Sequence, residues 1–190
     1  MIPQVQELFR LCLCALPLWV AARLLWFLVH KPRRAINPLR EAMLAFFAVF
    51  MVSLMTMVLE GKWAAPCDML RSAAERIRTG RRIRLRPFQT IWPQLCALPR
   101  RHEATQLLGN TLLFIPWGFF LPLLWPRFRT LRRMLCMALL LTLTIESTQL
   151  FINRYVEIDD VLLNFLGSML GAGSWKLLHR HFPTIDQYLL

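Results

Sequence analysis

The chain has 190 residues, of which 56% are hydrophobic and 18% charged, and its formal net charge is +12. A mean hydropathy of +0.43 is too high for an ordinary soluble domain. The basic residues lie almost wholly between apolar runs, without a nucleic-acid-binding signature, so we assign the charge to membrane topology and predict no nucleic-acid partner.

Five segments are long and apolar enough to cross a bilayer, which takes roughly 17 to 25 helical residues. In chain order they are residues 11–29, 42–59, 107–125, 134–152 and 161–178. The second reads AMLAFFAVFMVSLMTMVL, without the polar positions that recur every third or fourth residue in a soluble core helix. The sequence therefore predicts an all-α membrane protein, a polytopic bundle of about five transmembrane helices.

The loops between the predicted spans indicate an orientation, because short loops rich in Lys and Arg usually face the cytoplasm. Loop 30–40, loop 126–133 and the C-terminal tail are basic, and five crossings place all three on one side. We therefore predict a multi-pass protein with its N-terminus outside and its C-terminus in the cytoplasm. Segment 60–106 would then be outside despite its arginines, which is acceptable because long loops report topology weakly.

This predicted external segment leaves several questions open. Its Arg-rich run, residues 71–86, either lies on anionic headgroups, with Ile83 and Leu85 turned inward, or forms a dedicated site for an anionic ligand. An external face could oxidise Cys67 and Cys96 to a disulfide, but their spacing does not decide their redox state. No His and Cys residues have metal-ligand spacing, so no metal or other cofactor is predicted.

Polar residues gather at the predicted outer ends of the last three spans. A charged side chain at mid-membrane costs roughly 2.5 to 3.5 kcal/mol, so Glu146 must face the bundle, a water-filled cavity or a partner, or else be protonated. Arg154 is the nearest basic candidate, and Asp160 and Asn164 share one helix face. The candidate ligand-binding residues are Asn110, Glu146, Gln149, Arg154, Asp159, Asp160 and Asn164.

Each of these residues also has a purely structural interpretation. Asp159 or Asp160 could cap the last helix. Asn110, Gln149 and Asn164 could form hydrogen bonds between helices, worth roughly 0.6 to 2 kcal/mol each. Close helix packing would explain three glycines of the last span, Gly167, Gly171 and Gly173. The convergence of the polar set on one volume favours a ligand site, to which we assign no catalytic residue.

Five pieces of sequence follow one another in the order RPFQTI (86–91), NTLLFIPWGFFLPLL (110–124), IESTQ (145–149), NRYVEIDDVLLN (153–164) and LGSMLGAG (166–173). In this order and spacing they resemble the VanZ-like family of membrane proteins, named for a glycopeptide-resistance accessory protein. The resemblance implies a bacterial cell-membrane protein in which the seven candidate residues are the characteristic polar positions. The chain departs from it in a longer external loop, in the additional first span and in Asn153, where the family often has Gly.

The resemblance also implies reduced susceptibility to teicoplanin-type glycopeptide antibiotics. We expect an outer-leaflet polar site that binds or modulates a cell-envelope component and does no catalysis. The expected partners are membrane lipids, with a lipid-linked envelope precursor or a glycopeptide as candidate ligands, while the oligomeric state stays open. The alternatives are a membrane enzyme acting on a lipid-linked substrate, with Glu146 and Asp159 or Asp160 as acid and base or as Mg²⁺ ligands, and a purely structural role.

We divide the chain into three parts. Residues 1–41 form the additional N-terminal span with a cytoplasmic loop, residues 42–180 form the VanZ-like membrane domain including external loop 60–106, and residues 181–190 form a cytoplasmic tail.

Overall fold

The structure is a computed structural model that describes residues 3–30, 37–60, 64–96 and 101–186. Within these ranges the chain forms seven α-helices, two strands of two residues each, and one turn of 3₁₀ helix at Pro126–Phe128. The helices are α1 (Pro3–His30), α2 (Pro38–Val58), α3 (Pro66–Thr79), α4 (Ile91–Cys96), α5 (Arg101–Leu124), α6 (Leu131–Phe151) and α7 (Ile158–His181). The strands are β1 (Ile83–Arg84) and β2 (Val156–Glu157).

The long helices confirm the predicted fold class. Four helices, α2, α5, α6 and α7, contain stretches long and apolar enough to cross a membrane by length and composition. The first predicted span is also helical, but its apolar stretch is the shorter segment Leu16–Val29. The chain is therefore an all-α bundle of the membrane type. Lys31, Arg33 and Arg34 of the predicted cytoplasmic loop, and the last four residues of the tail, lie outside the described residues.

Local sequence signals explain where two of the helices begin and end. The Asn37 side chain accepts hydrogen bonds from the backbone N–H groups of Leu39 (3.1 Å) and Arg40 (3.3 Å), and Pro38 occupies the first helical position of α2. Helix α3 ends at Gly80, whose φ of +67° is a left-handed conformation that glycine adopts without steric cost.

Helices α5 and α7 form the closest pair in the bundle. A Cβ atom added to Gly118, Gly167 or Gly171 would lie only 1.9 to 2.1 Å from a backbone carbonyl oxygen of the opposite helix. The two backbones are thus in direct contact, and only glycine fits at these positions. The expected packing role is wrong for Gly173, because a Cβ there would meet nothing within 4 Å.

Helices α1 and α2 lie on the outside of this pair. Phe47 of α2 stacks on Trp117 of α5, with ring centroids 5.7 Å apart. Arg23 of α1 donates two hydrogen bonds, of 2.7 and 2.6 Å, to the carboxylate of Glu41 in α2. Its guanidinium also lies 4.5 Å from the ring centroid of Trp26. An arginine inside an apolar span is therefore paired with an acid and covered by an aromatic ring.

The connecting segments meet at two ends of the bundle. At one end β1 pairs with β2 in parallel, with Ile83 opposite Val156 and Arg84 opposite Glu157, so the Arg-rich run contacts the turn between α6 and α7. At the other end, Arg129 between α5 and α6 binds Asp186 of the C-terminal tail. Which end faces the cytoplasm stays a prediction.

We expect the contact between the tail and Arg129 to weaken in acid. The guanidinium donates two 2.6 Å hydrogen bonds that lower the pKa of Asp186 from its ordinary value, and His179 also contacts this carboxylate, at 3.2 Å. Because the pKa of Asp186 is lower in the folded state, this contact adds to the free energy of unfolding above the unfolded pKa. The added stability is lost as the pH falls through the folded pKa. The group is partly exposed, so the contribution is below about 1 kcal/mol.

An Asp186→Asn variant should lose this part of the pH dependence. Thermal unfolding of purified protein, followed from neutral pH to below the ordinary Asp pKa of about 3.9, measures it. Asp68→Asn removes an exposed carboxylate of α3 and serves as the control. Identical pH profiles for wild type and Asp186→Asn would contradict the prediction.

Candidate functional site

Glu146 is a buried carboxylate near the end of α6, with a side chain that is 4% exposed. Its Oε2 atom accepts a 3.0 Å hydrogen bond from the backbone N–H of Glu157. Its Oε1 atom is also buried but has no hydrogen-bond partner in the part of the chain that the structure describes. A buried polar atom without a partner costs about 1 to 3 kcal/mol. Of the surroundings expected for Glu146, the structure shows the interior of the bundle, where one of its oxygens is free to form a further hydrogen bond.

Asp160 at the start of α7 extends this acidic group. The amide of Asn110 in α5 donates a 2.7 Å hydrogen bond from Nδ2 to Asp160 Oδ1. The negative charges of Glu157 and Asp160 repel a charge on Glu146, and the positive charge of Arg154 attracts it. Helices α5, α6 and α7 and strand β2 thus bring together four residues that we call the polar site: Asn110, Glu146, Glu157 and Asp160.

Gln149 and Arg154 lie beside the polar site and bind the end of α2. Gln149 Nε2 donates to the carbonyl of Val58 at 3.3 Å, and Arg154 Nη1 donates to the carbonyls of Val58 (3.0 Å) and Glu60 (3.2 Å). Carbonyls at a helix C-terminus lack partners within the helix and carry partial negative charge, which a cation stabilises. No ion pair joins Arg154 to Glu146 in the described ranges, so the arginine acts on Glu146 through its charge and not through direct contact.

Asp159 holds the turn that precedes α4, next to the Thr90 hydroxyl that binds Glu157. Its carboxylate, which is 2% exposed, accepts hydrogen bonds from the backbone N–H groups of Phe88 (2.6 Å), Thr90 (2.6 Å) and Ile91 (3.0 Å). Asp159 does not cap α7. The N-cap residue of this helix is Glu157, and its side chain forms no capping hydrogen bond. Asp159 instead joins α7 to a segment about 70 residues earlier in the chain.

Asn164 lies one turn below Asp160 on α7 and is buried. Ser168 donates from its hydroxyl to the backbone carbonyl of Asn164 at 2.9 Å. The side-chain amide of Asn164 has no hydrogen-bond partner among the residues described. Asn164 therefore lies on the same face of α7 as Asp160, one turn closer to the middle of the helix.

Glu157 was not among the predicted site residues, although it is the residue that connects the Arg-rich run to Glu146. Arg84 donates a 2.9 Å hydrogen bond to Glu157 Oε1, and the Thr90 hydroxyl donates a 2.7 Å bond to Glu157 Oε2. The backbone N–H of the same residue binds Glu146. The sequence VEIDD (156–160) shows Glu157 next to Asp159 and Asp160, but it does not show which of these three acids binds Glu146.

The Arg-rich run also contributes a buried cation, Arg76 in α3, which is 6% exposed. Its Nη1 atom binds the carbonyl of Leu150, and its Nη2 atom binds Asn153 Oδ1 (2.8 Å) and the carbonyl of Arg154 (2.9 Å). Burial, together with the nearby charge of Arg82, lowers the pKa of Arg76 from its ordinary value. The signal in the sequence was the spacing of Ala73 and Arg76, which places both on one face of α3.

The predicted orientation of Ile83 and Leu85 toward a membrane surface stays a prediction. Ile83 pairs with Val156 and is half-buried, whereas Leu85 is exposed.

Cys67 and Cys96 are free cysteines with exposed side chains, so no disulfide joins them in the structure. Among the described residues no group of three or more His, Cys, Asp or Glu side chains is arranged to hold a metal ion.

Comparison with known proteins finds one match. A family model described as VanZ/LLP1 matches residues 43–179, which is most of the chain and includes the whole polar site together with α3 and α4. No curated protein and no solved structure matches the chain.

Proposed function

This chain belongs to the VanZ-like family, and from that membership we propose that its polar site binds a component of the cell envelope and thereby lowers bacterial susceptibility to teicoplanin-type glycopeptides. One observation carries the proposal: the Oε1 atom of Glu146 is buried and has no hydrogen-bond partner within the described residues. A carboxylate oxygen that serves only helix assembly would be paired within the bundle. An unpaired one favours a ligand that supplies the missing donor.

The chemistry of the polar site indicates the class of ligand. Glu146 and Asp160 present acceptor oxygens, each held by one hydrogen bond from a neighbouring element. Their complement is a head group with O–H or N–H donors, such as the sugar or peptide part of a lipid-linked envelope precursor. The exposed guanidinium of Arg154 beside the site is suited to an anionic part of the same head group.

In this proposal the other predicted site residues hold the segments around the polar site in place. Gln149 and Arg154 fix the end of α2, and Asp159 fixes the turn before α4, while Asn164 lies one helical turn from Asp160. These contacts hold the carboxylates in place before a ligand arrives, which reduces the entropic cost of binding.

Susceptible bacteria that express the wild-type chain should become less sensitive to teicoplanin, and bacteria that express Glu146→Gln or Asp160→Asn at equal membrane abundance should not. The Gln and Asn variants keep the shape of the side chains but replace the carboxyl group with an amide, which changes the hydrogen bonds that the unpaired oxygen can form. Asp68→Asn changes an exposed acid of α3 by the same chemistry and should behave as wild type. The minimum inhibitory concentration and quantitative membrane immunoblots are the measurements.

Binding by purified protein tests the proposal directly. Wild type should bind a lipid-linked envelope precursor roughly tenfold more tightly than Glu146→Gln does, the loss expected when one charged hydrogen bond is removed. Equal affinity in the two proteins would refute the assigned site. If wild type binds the precursor but leaves teicoplanin susceptibility unchanged, the resistance part of the proposal fails and the binding part stands.

The proximity of two acids in the bundle favours enzymatic catalysis as a second candidate function. Glu146 is buried and Asp160 half-buried, and one could act as acid and the other as base on a lipid-linked substrate. Turnover of a polyprenyl-linked substrate that requires a divalent metal and is lost in Glu146→Gln would support this candidate over the binding role. Binding without any turnover would support the first proposal.

A further inference from the structure

A second feature at the same end of the bundle is a cavity of about 240 Å³ between α3 and the start of the turn that follows α6. Its wall contains three arginines, Arg76, Arg81 and Arg82, together with Ser72 and Asn153. Glu75 is the acidic residue in the wall, so the positive charges outnumber it. None of these residues belongs to the polar site.

The buried cation in the wall lacks a counter-charge. All of the hydrogen bonds that Arg76 makes go to neutral oxygens, namely two backbone carbonyls and the amide oxygen of Asn153. The structure shows no ion pair for Arg76 in the ranges it describes. Burial of a charge without an opposite charge is costly. The lowered pKa of Arg76 has the same cause, and an anion in the cavity would offset the cost.

Several donors in the wall have no partner within the described chain. The oxygen of the Asn153 amide accepts from Arg76 (2.8 Å) and from Arg82 (3.2 Å), so the Nδ2 atom of the same amide remains available as a donor. The guanidinium of Arg81 is exposed and forms no hydrogen bond or ion pair with a described residue. The cavity thus combines unbalanced positive charge with N–H groups that can donate.

We propose that this cavity binds an oxyanion of the phosphate class. Arginine guanidinium groups bind phosphate through paired, charge-assisted hydrogen bonds, and a cluster of them next to an amide donor matches a tetrahedral oxyanion. The volume lies below the roughly 300 Å³ at which pockets for drug-sized ligands begin, so a phosphate or pyrophosphate group fits better than a large organic ligand. The anion is either a free phosphate compound or the headgroup of a lipid.

Neutralising Arg81 tests the proposal with little disturbance of the fold, because this side chain has no hydrogen bond or ion pair to lose within the described chain. Arg81→Gln should bind the anion roughly tenfold more weakly than wild type, and Arg81→Gln combined with Arg82→Gln more weakly still. Arg78→Gln is the matched control, because it removes one positive charge from exposed α3 surface outside the cavity. Thermal unfolding of each purified variant shows whether it is folded.

Two measurements distinguish the sources of the anion. The first is calorimetric titration of inorganic pyrophosphate into full-length protein in nanodiscs of zwitterionic phosphatidylcholine. The second is native mass spectrometry of detergent-solubilised protein mixed with equal amounts of phosphatidic acid and phosphatidylcholine, which counts the lipid that stays bound.

Each result has a defined meaning. Pyrophosphate binding that Arg81→Gln weakens and Arg78→Gln does not supports the site with a free oxyanion as its ligand. Selective retention of phosphatidic acid that only the cavity variants lose supports it with a lipid headgroup as its ligand. The proposal is overturned if Arg78→Gln weakens both kinds of binding as much as Arg81→Gln does, or if wild type binds neither probe. Since Glu146 and Asp160 are unchanged in every variant, failure here leaves the proposed function intact.

Discussion

A Gly171→Ala variant is expected to be less stable than wild type by about 3 kcal/mol or more, the upper range for an overpacked core. The added Cβ atom would lie 2.0 Å from the carbonyl oxygen of Ile115 and 2.8 Å from the backbone nitrogen of Phe119. Both neighbours are backbone atoms of α5, so no side chain can rotate away to make room. The two helices would have to separate, which would also move Asn110 away from Asp160 and open the polar site.

Gly173→Ala is the matched control for this prediction. A Cβ atom at Gly173 would meet nothing within 4 Å, and alanine is favoured over glycine in a helix by about 1 kcal/mol at either position. The free energy of unfolding in mild detergent and the membrane abundance of both variants are the measurements. Comparable stability of Gly171→Ala and Gly173→Ala would show that α5 and α7 are not in backbone contact as described.

An Asp159→Ala variant is expected to lose about 3 kcal/mol or more of stability, because three backbone N–H groups would lose their buried, charged acceptor at once. The donors belong to Phe88, Thr90 and Ile91. Asp159→Asn keeps one acceptor oxygen and should lose less. Asp68→Ala removes an exposed acid of α3 and should leave stability unchanged within about 0.5 kcal/mol.

The Asp159 prediction also extends to function. The turn that Asp159 holds contains Thr90, which binds Glu157, and Glu157 in turn donates to Glu146. Release of this turn should therefore free the carboxylate of Glu146 and abolish the proposed shift in teicoplanin susceptibility. Limited proteolysis should show new cleavage between residues 85 and 96 in Asp159→Ala. A variant that resists cleavage and unfolds like wild type would contradict the assigned contacts.

Asn153 stands where the resemblance to the family implies a frequent Gly, and its backbone conformation is one that glycine favours. Its φ of +63° lies in the left-handed region, which glycine adopts freely and which asparagine tolerates better than most other residues. The family's frequent glycine is therefore consistent with the same turn. The asparagine of this chain adds an amide oxygen that binds Arg76 and Arg82 of the longer Arg-rich run. Asn153 thus contacts the Arg-rich run in the structure.

The sequence by itself determined the features that depend on local pattern. The length of an apolar run decides whether a helix can span the membrane. Four of the five predicted spans correspond to helices that are long and apolar enough to do so, and the first predicted span corresponds to a helix with a shorter apolar stretch. The cost of burying a charge among apolar residues required Glu146 to face inward, which its burial confirms. Constant helical rise predicted that polar groups of three helices would lie at one depth, and the structure shows which of them meet, because Asn110 binds Asp160.

Only the tertiary structure decided which polar group binds which. Asp159 and Asp160 are adjacent in sequence and carry the same functional group, yet one holds the turn before α4 and the other binds α5, because successive residues of a helix point in different directions. Arg76 and Glu157 find their partners across about 70 residues, and no periodicity within a single helix specifies such a pairing. Charge and hydropathy predicted that polar groups would gather at the ends of these helices, whereas the packing of α3, α6 and α7 selected the contacts and left one oxygen of Glu146 unpaired.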